Sequence, residues 1–159
     1  KIADILMARG ELEEALRILT EDLLPVFERL GDVHQRAVTQ GKIADILKAR
    51  GELEEALRIR KEEELAVYER LGDVRSLIVG RTKLALLLIQ RGRGEDEQEI
   101  IGLLVWSFFE ARRRGFPEAD TIMGILGQLG VTPELLATIA RGPAPPAGGL
   151  PHDSPPFPI

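Results

Sequence analysis

Side chains able to do chemistry are few in this chain, and their spacing brings no set of them together. The two histidines, His34 and His152, fall in the first turn of a helix and in a proline-rich tail. They suggest no shared metal site and read as solvated side chains. A serine nucleophile needs a base beside it and a third group to orient that base. Ser76, Ser107 and Ser154 have neither a histidine–acid pair nor a nucleophile motif around them. RGRGED at 91–96 contains glycines but lacks the lysine and spacing of a phosphate-cradling loop, so it reads as a helix connection. The ELEE clusters at 11–14 and 52–55 suit helix N-termini, whose positive ends favour carboxylates. Arg112, Arg113 and Arg114 precede Gly115, where cations complement a helix C-terminus; a small anion-docking patch is the alternative. No cysteine is present, which excludes disulfides and thiolate metal sites. The expectation is no catalytic residue, no metal, no cofactor and no enzyme activity.

The elements that would position a binding surface are more legible. The 159 residues suffice for a domain with a core, and 44% hydrophobic with 30% charged residues fits a folded, soluble chain. Aromatics make up only 4%, so the core must rest on Leu, Ile, Val and Ala, a mixture that favours helix over strand. A net charge of −5 argues against nucleic acid, which needs a basic footprint. The longest clean apolar run is Leu84 to Ile89, far short of the ~18–20 residues that span a bilayer. No signal peptide is visible, so no membrane partner and a cytoplasmic location are expected. The chain opens at Lys1 inside a motif and reads as a piece of a longer protein.

That motif is an internal repeat. KIADIL at 1–6 returns at 42–47, ARGELEEALRI at 8–18 returns at 49–59, and ERLGDV at 28–33 returns at 69–74. The shift is ~41 residues and roughly two thirds of aligned positions match, within the range of helical repeat arrays. A third copy starts at Lys83 with KLALLLIQRG and then diverges. Each unit resolves into two helices, here A and B. Asp32 and Asp73 are placed as N-caps. Helix A of the second copy should run from about Val33 to Arg50, and helix B to about Leu71. Helix boundaries are expected at Gly10, Gly31, Gly51, Gly72, Gly92, Gly115 and Gly130. In the first B helix Leu12, Leu16, Leu19, Leu23, Val26 and Leu30 make a stripe that must be buried. Pro25 should bend that helix or break it at Leu24. The second copy replaces Leu19 and Leu23 with Arg60 and Glu64, either an exposed ion pair or a specificity point on a receiving surface.

Small residues recur at Ala3, Ala44 and Ala85 in helix A, at Gly10, Gly51 and Gly92 in the A–B turn, and at Ala15 and Ala56 early in helix B. With the closing LGD, this pattern resembles the tetratricopeptide repeat family in its longer variety of about forty residues. The resemblance implies an all-α fold, a right-handed α-solenoid of antiparallel helix pairs. It covers 1–92 well, with the first repeat short at its N-terminus, and is weak over 93–142; helix B lacks the family's usual aromatic after its Ala. The remainder should close the stack: a third B helix from Glu95 to Arg114, a helix after Pro117 ending at Gly130, and a short one capped by Thr132 with Pro133 in its first turn. Gly124 and Gly127 inside a helix need compensation, from close packing on Trp106 or Phe109 or from a bare face for a partner's backbone. The tail 143–159 holds seven of the ten prolines and should be extended or disordered, a solvated tail or a Pro-rich ligand for a groove.

The resemblance implies a scaffold that binds a peptide or protein on the concave face lined by the A helices. Its register puts Asp4 and Met7, then Gly41, Asp45 and Lys48, then Thr82, Leu86 and Ile89 on that face. The gradient from charged to apolar suits a peptide with one charged and one apolar end, unless Leu86 and Ile89 are covered by the capping helices or tail. Self-association through an open first repeat, at Ile2, Ile5, Leu6 and Leu16, is a further expectation. The alternative function is a sensor or oligomerisation module of a larger signalling protein whose effector domain lies elsewhere.

Overall fold

A computed structural model of the chain describes residues 1–141. His152 and the expectations for the proline-rich tail lie outside the described residues. Among those described, the fold is all-α: eight helices and no strand. The chain divides into two compact units, Lys1–Asp73 and Val74–Ile159. The division falls where the second B helix ends.

The first unit holds two helix pairs. Helix α1 is Ile2–Ala8 and α2 covers 12–30; α3 is Val33–Ala49 and α4 covers 53–71. Each pair is joined at a glycine with positive φ, Gly10 (78°) and Gly51 (80°). All seven glycines placed at boundaries by the sequence adopt positive φ. At Gly72 the reason is explicit. Its N–H bonds to the Glu69 carbonyl and the Asp73 N–H reaches back to the Tyr68 carbonyl, at 3.2 and 3.0 Å. That crossed pair satisfies the last carbonyls of the helix and requires a left-handed residue between them. Asp32 then caps α3, accepting from the Gln35 N–H at 2.9 Å. Ala15, Ala44 and Ala56 are fully buried, as small residues at close helix approaches must be.

Helix α2 departs from the expected break. It runs through Pro25 because a π-helical turn, Ile18–Leu23, precedes it and re-routes the backbone bonds, leaving Pro25 in the first turn of Leu24–Leu30. The second copy carries the same turn at Arg60–Leu65 with Ala66 in place of the proline, so Pro25 is not its cause. The extra residue in the turn also shifts the apolar stripe. Leu19 is buried, Leu12, Leu16, Leu23 and Val26 are half-buried, and Leu30 ends 72% exposed.

The second unit holds α5 (Val74–Arg91), α6 (Glu97–Arg114), α7 (Glu118–Gln128) and α8 (Pro133–Arg141). Its core is Leu84, Leu87 and Leu88 with Leu104, Phe108, Ile122 and Leu126. Thr132 caps α8, its hydroxyl accepting from the Leu135 N–H at 3.3 Å. Gly124 and Gly127 are exposed, and a Cβ on either would meet nothing within 4 Å. Close packing on Trp106 or Phe109 therefore does not explain them. No single helix is long and apolar enough to cross a membrane; α7 and α8 pass that test only jointly, across a 110° bend.

Candidate functional site

The candidate surface starts from the buried alanines of the A helices, because residues one position and one turn further on must lie at the edge of the packed face. In the first unit Ala3 and Ala44 are buried, Asp4 is exposed, and Asp45, Met7 and Lys48 are half-buried. Asp4 Oδ1 lies 2.7 Å from Lys42 Nζ, an ion pair that joins α1 to α3. The Lys42 ammonium, hydrogen-bonded to it, holds the Asp4 carboxyl below its ordinary value. In the second unit Ala85 is buried while Thr82 and Leu86 are half-buried, and Ile89 is among the exposed large apolar side chains. The Thr82 hydroxyl donates to the Ile78 carbonyl at 2.8 Å.

Two residues of the surface are engaged inside the first unit. Arg60 is 0% exposed. Its Nη1 donates to Glu64 Oε2 at 2.6 Å, and its Nη2 to Asp45 Oδ1 at 2.6 Å and to the Gly41 carbonyl at 3.2 Å. The Arg60–Glu64 pair is thus buried, not the exposed ion pair expected of two charged residues four apart. Gly41 is buried as well: a Cβ there would clash with Glu64 Oε1 and lie 2.7 Å from its Cδ. The carboxylate occupies the space that glycine leaves, so Gly41 lines no open surface. Asp45 is tied to Arg60 at 2.6 Å and is only half-buried. Arg60 Nε is buried without a hydrogen-bond partner, which marks the arrangement as one of geometry more than of stability.

Further contacts were not evident from the sequence. His34 keeps a side chain 42% exposed, with its Nε2 3.0 Å from Asp73 Oδ2 and its ring 5.8 Å from that of Tyr68, so it is a solvated side chain that also ties to its neighbours. Burial raises the Tyr68 phenol well above its ordinary value, and Glu64 and Asp73 add to the shift. In the second unit the Arg81 guanidinium stacks 4.0 Å above the Trp106 ring, a contact strengthened by the burial of Arg81. Of the Arg112–Arg114 run, Arg113 and Arg114 pair with Glu110, and Arg112 lies 5.8 Å over Phe108. The signal for Arg60 was present: it replaces Leu19 on a stripe that has to be buried.

Among the described residues no three His, Asp or Glu side chains converge as a metal site needs. Compared with known proteins, the chain matches no family model, no curated protein and no solved structure.

Proposed function

We propose that the chain is a protein–protein interaction scaffold of the tetratricopeptide kind, a right-handed solenoid of helix pairs that holds a peptide or protein along its A-helix faces. One observation carries this reading. The buried framework is constant between copies (Ala3, Ala44 and Ala85), while the flanking side chains vary from Met7 to Lys48 to Ile89 and from Asp4 to Asp45 to Leu86. A constant scaffold with a varied, partly open edge is what successive subsites along a bound chain require. The positions most open to a ligand are Asp4, Met7 and Lys48 in the first unit and, taken by itself, Leu86 and Ile89 in the second.

Affinity capture compared between the parent and Lys48→Glu, Met7→Ala and Leu86→Ala tests the proposal. Capture of the same partner should fall at least tenfold for one or more variants with the thermal midpoint nearly unchanged. Undiminished capture by all three would remove the A-helix faces as the site. A second reading, an oligomerisation module of a larger signalling protein, is favoured by the exposure of Ile2 and Ile5. A chain that stays monomeric at high concentration would count against it.

A further inference from the structure

The two B helices of the first unit turn the last residue of their inward stripe out to solvent, and both do it by the same device. Leu53, Leu57, Arg60, Glu64, Val67 and Leu71 keep the spacing of one α-helical face, as does the equivalent run that ends at Leu30. The π-helical turns 18–23 and 60–65 insert an extra residue into that spacing, which rotates the remainder of each helix by about 100°. Leu30 and Leu71 accordingly end 72% and 48% exposed, and Val33, just past the turn that follows Leu30, is 47% exposed.

These side chains share one edge. His34, next to Val33, has its Nε2 3.0 Å from Oδ2 of Asp73, two residues beyond Leu71, so the ends of α2 and α4 stand side by side. Both read Arg-Leu-Gly-Asp, at 29–32 and 70–73. The glycine has a local reason in the left-handed helix end, and Asp32 has one in the cap of α3. The exposed leucine has none. Positions buried in the second copy differ from the first, Leu19 becoming Arg60, Leu23 Glu64 and Phe27 Tyr68, while the exposed Arg-Leu pair is the same in both. Among the described residues neither Arg29 nor Arg70 makes an ion pair or a side-chain hydrogen bond, and both are exposed. A cation in a last helical turn complements the dipole, but that leaves the guanidinium open. The acids alongside are engaged: Glu28 with Arg36 at 3.7 Å, Asp32 with the Gln35 N–H, Asp73 with His34, and Glu69 as well. The charges left over on this edge are the two arginines.

We propose that this edge, Arg29, Leu30 and Val33 with Arg70 and Leu71, is a docking surface for an acidic linear segment of a partner protein, one in which a large apolar side chain stands among Asp or Glu residues. The leucines and Val33 cover the apolar side chain, and each open guanidinium forks onto a carboxylate. A second copy of the chain is a poorer occupant, because a two-fold contact through this edge would set the arginines of one copy against those of the other. Nucleic acid and anionic lipid are disfavoured by the net charge of −5; a short segment meets only the local cations, since more distant charges are screened. The edge contains none of the A-helix positions proposed above, and the inference does not depend on that reading.

The test measures binding of the whole chain to labelled synthetic peptides in which one Leu or Phe is flanked by Glu and Asp, against the same peptides with Lys for each acid. An acidic peptide should bind and shift the amide resonances of 29–33 and 70–72, and its Lys counterpart should bind at least tenfold more weakly. The double variants Leu30→Ser with Leu71→Ser, and Arg29→Gln with Arg70→Gln, should each weaken the acidic peptide at least tenfold. All four side chains are exposed, so the thermal midpoint should stay nearly unchanged. No binding of acidic peptides, equal binding of the Lys peptides, or undiminished binding by either double variant overturns the surface. Binding lost in Lys48→Glu but kept in both double variants places the peptide on the A-helix faces and also overturns it. Self-association of the parent that the leucine variant abolishes assigns the edge to a second copy, and co-sedimentation with phosphatidylserine vesicles abolished by that variant assigns it to lipid. Either result overturns the proposal.

Discussion

Gly41→Ala sets two effects of opposite sign against each other at one residue. In the middle of α3 alanine is favoured over glycine by about 0.8–1.0 kcal/mol. A Cβ there would lie 2.7 Å from Glu64 Cδ and closer still to its Oε1. A solvated carboxylate would swing aside at little cost. This one is buried and held at 2.6 Å by Arg60, which is itself tied to Asp45 and the Gly41 carbonyl. Removing one partner of a buried charge pair costs about 3–5 kcal/mol; displacing it without removal should cost roughly half, about 2 kcal/mol. The net expectation is destabilisation by about 1 kcal/mol despite the better helix former. Urea unfolding followed by far-ultraviolet circular dichroism reads this as a lower midpoint at constant slope. In a Glu64→Ala background the obstruction is gone, and the same substitution should stabilise by about 0.8–1.0 kcal/mol. Gly124→Ala and Gly127→Ala, whose added Cβ meets nothing within 4 Å, should each stabilise by about that amount in either background. If Gly41→Ala stabilises the parent as Gly124→Ala does, the buried Glu64 carboxylate does not occupy the glycine's space.

Further expectations concern packing and pH. Ala56→Leu, at a fully buried contact between paired helices, should cost about 1–3 kcal/mol through overpacking, and an unchanged thermal midpoint would mean the contact is elsewhere. For Glu110, burial raises the pKa but hydrogen bonds from Arg113 and Arg114 outweigh it, leaving the carboxyl below its ordinary value. A depressed carboxylate contributes stability that is present above its unfolded pKa of about 4.3 and is lost as pH falls through the folded value. The midpoint should therefore drop as pH falls below about 4, and less steeply in Glu110→Gln. Tyr68 has the opposite sign: its raised pKa contributes stability below the unfolded value of about 10 that is lost as pH climbs past it. Tyr68→Phe, the residue the first copy carries as Phe27, should remove that alkaline decline; an identical decline in the variant would assign it to another group.

The helices and their ends were legible because their causes are local. A glycine forced to positive φ, an Asp or Thr cap and an acidic first turn act within four residues, and the repeat displayed the glycine, the Asp and the acidic turn twice. The π-helical turns were not legible, since 18–23 and 60–65 share their conformation but little of their sequence. The burial of Arg60 and Glu64 was misjudged for a different reason. Residue type argues for solvent, but the position inherited from Leu19 argues for the core, and the absent Cβ of Gly41 with the carboxylate of Asp45 decided the matter from another helix. The candidate surface was legible only as a register. Which of its members stay open depended on those same cross-helix contacts, which removed Gly41 and committed Asp45.

The claim that a partner lies on the A-helix faces is tested most directly by site-specific photo-crosslinking of the chain bound to its captured partner. A crosslinker is placed singly at Met7, Lys48 and Leu86, and as controls at Glu55 and Glu62, which are exposed on the B helix α4. Strong crosslinks from the three A-helix positions and none above background from the two controls are predicted. Crosslinks from Glu55 and Glu62 with none from Met7, Lys48 or Leu86 would contradict the claim.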